Sequence, residues 1–191
     1  MPKSAAATPT LVYVKITLNY IRPAIWRRLI LPTSLSLRDL HMAIHAAMGW
    51  RGDHLHVFEI DGAEYSEPAM IEGAQDERKT TLAKIISEGV SRFRYTYDFG
   101  DDWTHELLIE KKAPPPEAEP GCVDGARACP PEDCGGAPRY EGLLTALAAP
   151  NKPKNKELLE WVGEDFDPEQ FSREDADRRV KNVAKSRGAR R

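Results

Sequence analysis

The stretch RYTYDFGDDWTHELLIE, residues 94–110, decides how this chain is read. Phe93, Tyr95, Tyr97 and Phe99 alternate with polar residues before Gly100-Asp101-Asp102, and Trp103, His105, Leu107 and Ile109 alternate after it. A strand turns successive side chains to opposite faces, so two period-2 runs about a Gly/Asp turn predict a β-hairpin with one covered face. The same stretch holds a functional question. Asp98, Asp101 and His105 are catalytic candidates for acid–base work, and the three aspartates could instead hold a hard cation. The structural alternative is a turn, where an aspartate side chain bonds nearby backbone N–H groups. The triplet Asp98-Phe99-Gly100 matches the magnesium-binding triplet of protein kinases, but no glycine-rich loop or HRD motif accompanies it, which excludes a kinase.

Upstream of this hairpin, Val12, Val14, Ile16 and Leu18 share one face of a strand over residues 11–18. Pro23 interrupts, and a second strand over residues 25–31 completes an N-terminal hairpin. Arg27 and Arg28 then point to opposite faces, and one of them is expected to pair with the acidic 98–102 turn or to stack on a ring. Ser36 opens a capping box, Leu37, Leu40, His41, Ile44 and Met48 repeat at helical spacing, and Gly49 stops a helix over residues 37–48. A third strand at residues 54–60 turns at Asp61-Gly62 into a short fourth one, and a short helix is expected at residues 80–87. Residues 114–138 carry seven prolines and four glycines, a composition that excludes helix and central strand. Helices resume near residues 140–148, 155–162 and 172–183. The fold class is α+β: a single compact domain over residues 11–177 with a mixed or antiparallel sheet, packed helices and a helical C-terminal third.

Length and composition agree with one soluble domain: 191 residues, 41% hydrophobic and 30% charged, without an apolar run that could span a membrane. Residues 1–10 read as a disordered lead-in to a cytoplasmic protein. The net charge of −3 hides an uneven distribution. Arg178, Arg179, Lys181, Lys185, Arg187, Arg190 and Arg191 form a basic tail over residues 178–191, leaving 20 basic against 30 acidic residues in the body. Phosphate contacts dominate nucleic-acid affinity, so only the tail has the right sign for that partner; the other reading is a solvated terminus.

Four stretches together resemble one family. They are RPAIWRRLILP (22–32), LRDLHMAIHAAMGW (37–50) with HLHVF (54–58), YDFGDDWTHELLIE (97–110), and CVDGARACPPEDCGG (122–136) continuing to WVGEDFDPEQF (161–171). The chain resembles the plasmid pRiA4b ORF-3-like family over about residues 11–175. That resemblance implies an α+β domain and an association with plasmids and mobile elements, where members carry a TnpR-like label. Serine-resolvase chemistry is not implied with it. Such an enzyme needs a nucleophilic serine among arginines, and Ser4 lies in an alanine-rich lead-in. The reading is a non-enzymatic binding or accessory module, with an enzyme of unknown reaction at the Asp/His hairpin as the alternative.

Three further groups are candidates. Cys122, Cys129 and Cys134 fall in the proline-rich segment, spaced C-x6-C-x4-C. With His105 they would complete a structural zinc site, the one cofactor the sequence suggests; a disulfide pair and free packed thiols stay open beside it. His41 and His45 stand at i, i+4, a chelating spacing, but no glutamate follows His41 as a metalloprotease requires. His54 and His56 share one strand face. Of these, His41 and His54 match the family's motifs, and with Trp103 they are the pocket candidates; packing against Trp50 is the structural alternative.

Overall fold

The computed structural model describes residues 11–149, 155–163 and 165–188. Its organising element is the hairpin of residues 94–110. Strand β6 (Arg92–Tyr97) pairs antiparallel with β7 (Trp103–Ile109) from Arg92 opposite Leu108 to Tyr97 opposite Trp103. The turn uses the aspartates as turn residues. Asp98 Oδ1 accepts the Gly100 and Asp101 N–H groups at 2.9 and 3.3 Å, and the Asp102 N–H donates to the Asp98 carbonyl.

Around it stand β1 (Leu11–Leu18), β2 (Trp26–Pro32), β3 (His56–Ile60), β4 (Ala63–Ser66), β5 (Gln75–Asp76) and β8 (Gly121–Ala126). All eight form one sheet in the order β5-β4-β3-β6-β7-β1-β2-β8, antiparallel except for the β4–β5 pair. Helix α1 (Leu37–Met48) covers one face. Ser36 caps it by accepting the Asp39 N–H, and Gly49 ends it in the left-handed conformation. Leu37, Leu40 and Ile44 are fully buried beneath it against Val14, Ile16, Leu29, Phe58 and Tyr95. Each such side chain contributes about 2 kcal/mol of transfer free energy. Helices α2 (Leu82–Ser87), α3 (Gly136–Leu147), α4 (Lys156–Val162) and α5 (Arg173–Gly188) complete the α+β domain.

The opposite sheet face is polar. Arg94 pairs with Glu59 at 3.0 Å, Arg92 with Glu106, and Arg28 with Glu110. Arg28 also stacks over the Tyr13 ring. Exposed pairs of this kind contribute at most about 1 kcal/mol each, so their main effect is to keep this face wet. Neither arginine of the 26–28 motif reaches the acidic turn; both take the other expected use and stack on a ring, Arg28 over Tyr13 on the polar face and Arg27 over Phe171.

The Arg27 guanidinium is 2% exposed and has carbonyls for partners. Its Nε donates to Ala47 at 3.1 Å, Nη1 to Trp26 and Ala126 at 2.8 and 2.9 Å, and Nη2 to Arg127 at 2.9 Å. The Phe171 ring lies 4.3 Å from it. This arrangement answers what holds the proline-rich segment. The segment enters through β8, an edge strand paired with β2, which respects the exclusion of a central strand. It leaves through Trp50, whose Nε1 donates to the Pro130 carbonyl at 2.9 Å, and through Asp101, which accepts the Gly135 N–H at 2.9 Å. At Gly136, φ is +78° and a Cβ would stand 2.4 Å from the Asp101 carbonyl oxygen, so no larger residue fits.

Helix α5 covers the outer edge. Ala176 and Val180 are buried, Asp177 accepts the Cys122 N–H at 3.0 Å, and Arg179 donates to the Ala46 carbonyl at 2.7 Å. The boundary drawn at residue 177 therefore falls inside a packed helix. Residues 1–10, Arg190 and Arg191 lie outside the described residues, as do the side chains of Lys185 and Arg187.

Replacing Arg27 with Met keeps the apolar stem and leaves four carbonyls without that donor. The expected loss of stability is about 3 kcal/mol or more, read from urea unfolding; a change below about 1 kcal/mol would contradict the clamp.

Candidate functional site

Helix α1, the inward residues of β3 and β6, and the 3-10 turn Glu77–Lys79 gather five polar side chains under the helix. His41 Nδ1 and His45 Nε2 stand 2.8 and 2.9 Å from the Tyr95 hydroxyl. A hydroxyl carries one proton, so it donates to at most one ring while the other imidazole donates to it. The His41 and His56 rings stack at 3.6 Å with 15° between their planes. His56 Nε2 lies 2.6 Å from Glu77 Oε2, and Glu77 is 1% exposed, with Arg38 Nη1 at 3.4 Å from its other oxygen. The i, i+4 spacing of His41 and His45 thus serves a shared tyrosine.

Burial sets the charge of this cluster. Desolvation, then the neighbouring His56, holds His41 far below the ordinary histidine range. The same two causes bring His45 down to about 3. Desolvation pushes the Tyr95 hydroxyl well up. The His41 and His45 imidazoles are therefore neutral donors and acceptors at neutral pH. His45 Nδ1 is buried without a hydrogen-bond partner among the described residues, and Gly52 approaches it closely: φ there is +82° and a Cβ would lie 3.0 Å from that nitrogen.

Outside this wall lies a cleft of about 330 Å³ bordered by Arg38, His41, His54, His56, Ser66 and Met70. Two larger depressions among the described residues border paired charges on the polar sheet face, or α3 and α4. Of these three, the smaller cleft is the one that borders His41 and His56. At its rim three chain segments meet. His54 Nε2 stands 3.7 Å from Asp98 Oδ2, 3.9 Å from Glu132 Oε2 and 3.2 Å from Asp133 Oδ1. The Tyr97 hydroxyl donates to the Glu132 carboxylate at 3.3 Å. Arg51 reaches Asp133 at 3.6 Å and Asp53 at 3.3 Å.

The expected sites map unevenly onto this geometry. His41 and His54 both border the cleft, while Trp103, 1% exposed beneath Trp50, is core. Asp98 belongs to the rim, Asp101 is occupied by the Gly135 N–H, and His105 is fully buried in β7. His105 Nδ1 donates to the Tyr95 carbonyl at 3.4 Å and its Nε2 has no hydrogen-bond partner; burial brings its pKa down to about 4.

The expected quartet of Cys122, Cys129, Cys134 and His105 is not assembled. Among the described residues, the set of metal-ligating side chains whose donor atoms lie within 4.8 Å of one another is His54, Asp98 and Asp133. All three cysteines are free, and burial pushes each thiol up, Cys134 to about 12. The loop is held by Arg27 and Trp50, which removes the physical motive for a metal staple there.

Tyr95, Glu77, Glu132 and Asp133 escaped the sequence reading. Tyr95 alternates as a core residue, and Glu77 sits in a segment with no periodicity. Glu132 and Asp133 did carry a signal, because they fall inside the quoted CVDGARACPPEDCGG motif.

A model of the family described as plasmid pRiA4b ORF-3-like protein matches residues 10–175. The uncharacterized protein y4hQ of Sinorhizobium fredii is 36% identical over 163 residues, which cover 83% of this chain and 84% of that one. The crystal structure of MM3350, a protein of unknown function from Methanosarcina mazei Go1, superposes with a TM-score of 0.81 at 34% identity, covering 88% of this chain and 97% of that chain.

The depressed histidines make stability pH-dependent. Their folded pKa values lie below the unfolded value of about 6.5, so the stability they allow is complete above that pH and is lost as pH falls toward 4 and 3. Each proton taken up on unfolding contributes a slope of about 1.4 kcal/mol per pH unit. Urea midpoints should fall steadily below about pH 6.5, and His105→Gln should flatten the decline. A flat profile down to pH 4 would contradict neutral burial.

Proposed function

This chain belongs to the plasmid pRiA4b ORF-3-like family, and on that premise we propose that it is a binding module whose ligand enters the cleft between α1 and β3. The observation that carries the reading is the cleft's wall: two stacked, buried imidazoles, His41 and His56, beside the partly exposed Arg38. A concave site of about 300 Å³ or more with a few convergent polar groups is what a small molecule requires. The imidazoles offer hydrogen bonds and stacking, and Arg38 offers charge, which fits a small planar or anionic group. Buried histidines are costly to maintain, and such groups cluster at sites that do something. An accessory role on plasmids or mobile elements, in a cytoplasm that keeps the three thiols reduced, belongs to the same proposal.

A specific observation favours a second, enzymatic reading. The His56 ring is oriented by the buried Glu77 carboxylate at 2.6 Å on the cleft wall, an arrangement that general acid–base catalysis uses. Mass spectrometry of the ligand after incubation separates the two: a binding module releases it unchanged, an enzyme does not. Titration with small carboxylates and phosphates, followed by the NMR signals of the histidine rings, should shift His41 and His56 in the wild type. Arg38→Gln should weaken that response at least several-fold. Ring signals that stay put throughout, or an effect equal in both proteins, would count against the cleft.

The basic tail is the nucleic-acid candidate of this reading. Part of its charge is internally engaged, with Arg178 on Asp175 and Lys181 on Asp177 and Glu119. Any binding should be sequence-independent and fall steeply with salt. Ending the chain after Ser186 removes Arg187, Arg190 and Arg191 and spares the buried Val180. The slope of log K against log salt should then drop by about 2–3 on duplex DNA; an unchanged slope would move the contact into the body. No helix among the described residues is long and apolar enough to cross a membrane.

A further inference from the structure

We infer that His54, Asp98 and Asp133, with Glu132 beside them, form a binding site for one divalent first-row transition ion at the cleft's rim. The inference stands apart from the cleft reading, because a metal would bind there whether or not an organic ligand does.

Geometry is the first support. Zinc-class ions hold imidazole nitrogen and carboxylate oxygen at about 2.0–2.2 Å, which puts neighbouring donor atoms about 3.4 Å apart in a tetrahedral shell. His54 Nε2 lies 3.2 and 3.7 Å from the oxygens of Asp133 and Asp98, and these three donor atoms lie within 4.8 Å of one another, so a closing movement of up to about 1.4 Å seats one ion among them, with Glu132 Oε2 3.9 Å from the imidazole. One nitrogen with two or three oxygens suits Zn²⁺ or Mn²⁺ better than Ca²⁺, which takes oxygen shells.

The second support is a carboxylate oxygen that the turn does not use. The Asp98 side chain is nine-tenths buried, 10% exposed. Its Oδ1 is occupied by the Gly100 and Asp101 N–H groups, while its Oδ2 accepts no hydrogen bond from the described residues and points toward His54 at 3.7 Å. Glu132 is also largely buried, at 14% exposed. Glu132 accepts the Arg51 backbone N–H at 2.7 Å and the Tyr97 hydroxyl at 3.3 Å, but for the four carboxylates here the described residues supply one guanidinium, Arg51, which reaches Asp53 and Asp133. A buried carboxylate is costly without a counter-charge, and a divalent ion at His54 supplies it.

Chain order supports a site rather than a chance pair. The ligands come from the loop before β3, from the turn after β6 and from the proline-rich segment, which Trp50 and Asp101 hold in place. His54 also borders the cleft, so a coordination position can face it.

The test is competition of the full-length, metal-stripped protein with a chromophoric chelator for Zn²⁺ and, separately, for Mn²⁺. One ion per chain is expected. Asp133 is 59% exposed, so Asp133→Asn should not disturb folding, and it should weaken binding roughly tenfold or more, as should His54→Ala. The triple variant Cys122→Ser, Cys129→Ser, Cys134→Ser should bind as the wild type does. No binding of either ion overturns the proposal and leaves His54 as an ion-pair partner of the carboxylates. Binding that survives both rim variants, or that vanishes in the cysteine variant, overturns it in favour of another site.

Discussion

The structure depends on one buried cation. Arg27 enters the core from β2 and ties together the end of α1, the end of β8 and the first residue beyond it through four carbonyls, with a phenylalanine ring over its plane. A guanidinium presents five donors in a fixed fork, which lysine cannot reproduce. Desolvation lowers its pKa, yet it keeps its proton because guanidinium starts so high. The consequence reaches the functional end of the molecule. The segment that leaves β8 past Arg27 is the one that carries Glu132 and Asp133 to His54.

Two polar devices therefore meet at the open end of α1, and they differ in kind. The His41–His45–Tyr95–His56–Glu77 cluster is buried, and desolvation keeps the His41 and His45 rings neutral. The rim of His54, Asp98, Glu132 and Asp133 is partly wet and carries an excess of negative charge. A cleft with imidazoles on its wall and carboxylates on its lip can recognise a ligand through an ion, through hydrogen bonds, or through both.

The sheet was legible because one of its faces is wet. Alternation in residues 11–18, 25–31 and 92–111 located four of the eight strands, and Ser36 and Gly49 marked both ends of α1. Strand β8 was not legible, since an edge strand of Gly-Cys-Val-Asp-Gly-Ala has neither alternation nor β-branched residues beyond Val123, and its pairing with β2 is broken by a bulge. The site was half legible. His41, His54 and Asp98 were named, but the loop cysteines drew attention to the wrong donors, because spacing along a chain does not say which donor atoms converge. Tyr95 read only as a core residue of its strand and Glu77 had no local signal, and only tertiary packing makes them partners.

The account's central claim is that the proline-rich segment is held by Arg27 and Trp50 and thereby positions the rim. Amide hydrogen exchange on an Arg27→Gln variant tests it most directly. The amides of Ala128 and Gly135, bonded to the Pro168 carbonyl and Asp101, should lose protection. Those of β3 and β6, away from the clamp, should keep theirs. Unchanged protection at Ala128 and Gly135, with the protein otherwise folded, would contradict the account.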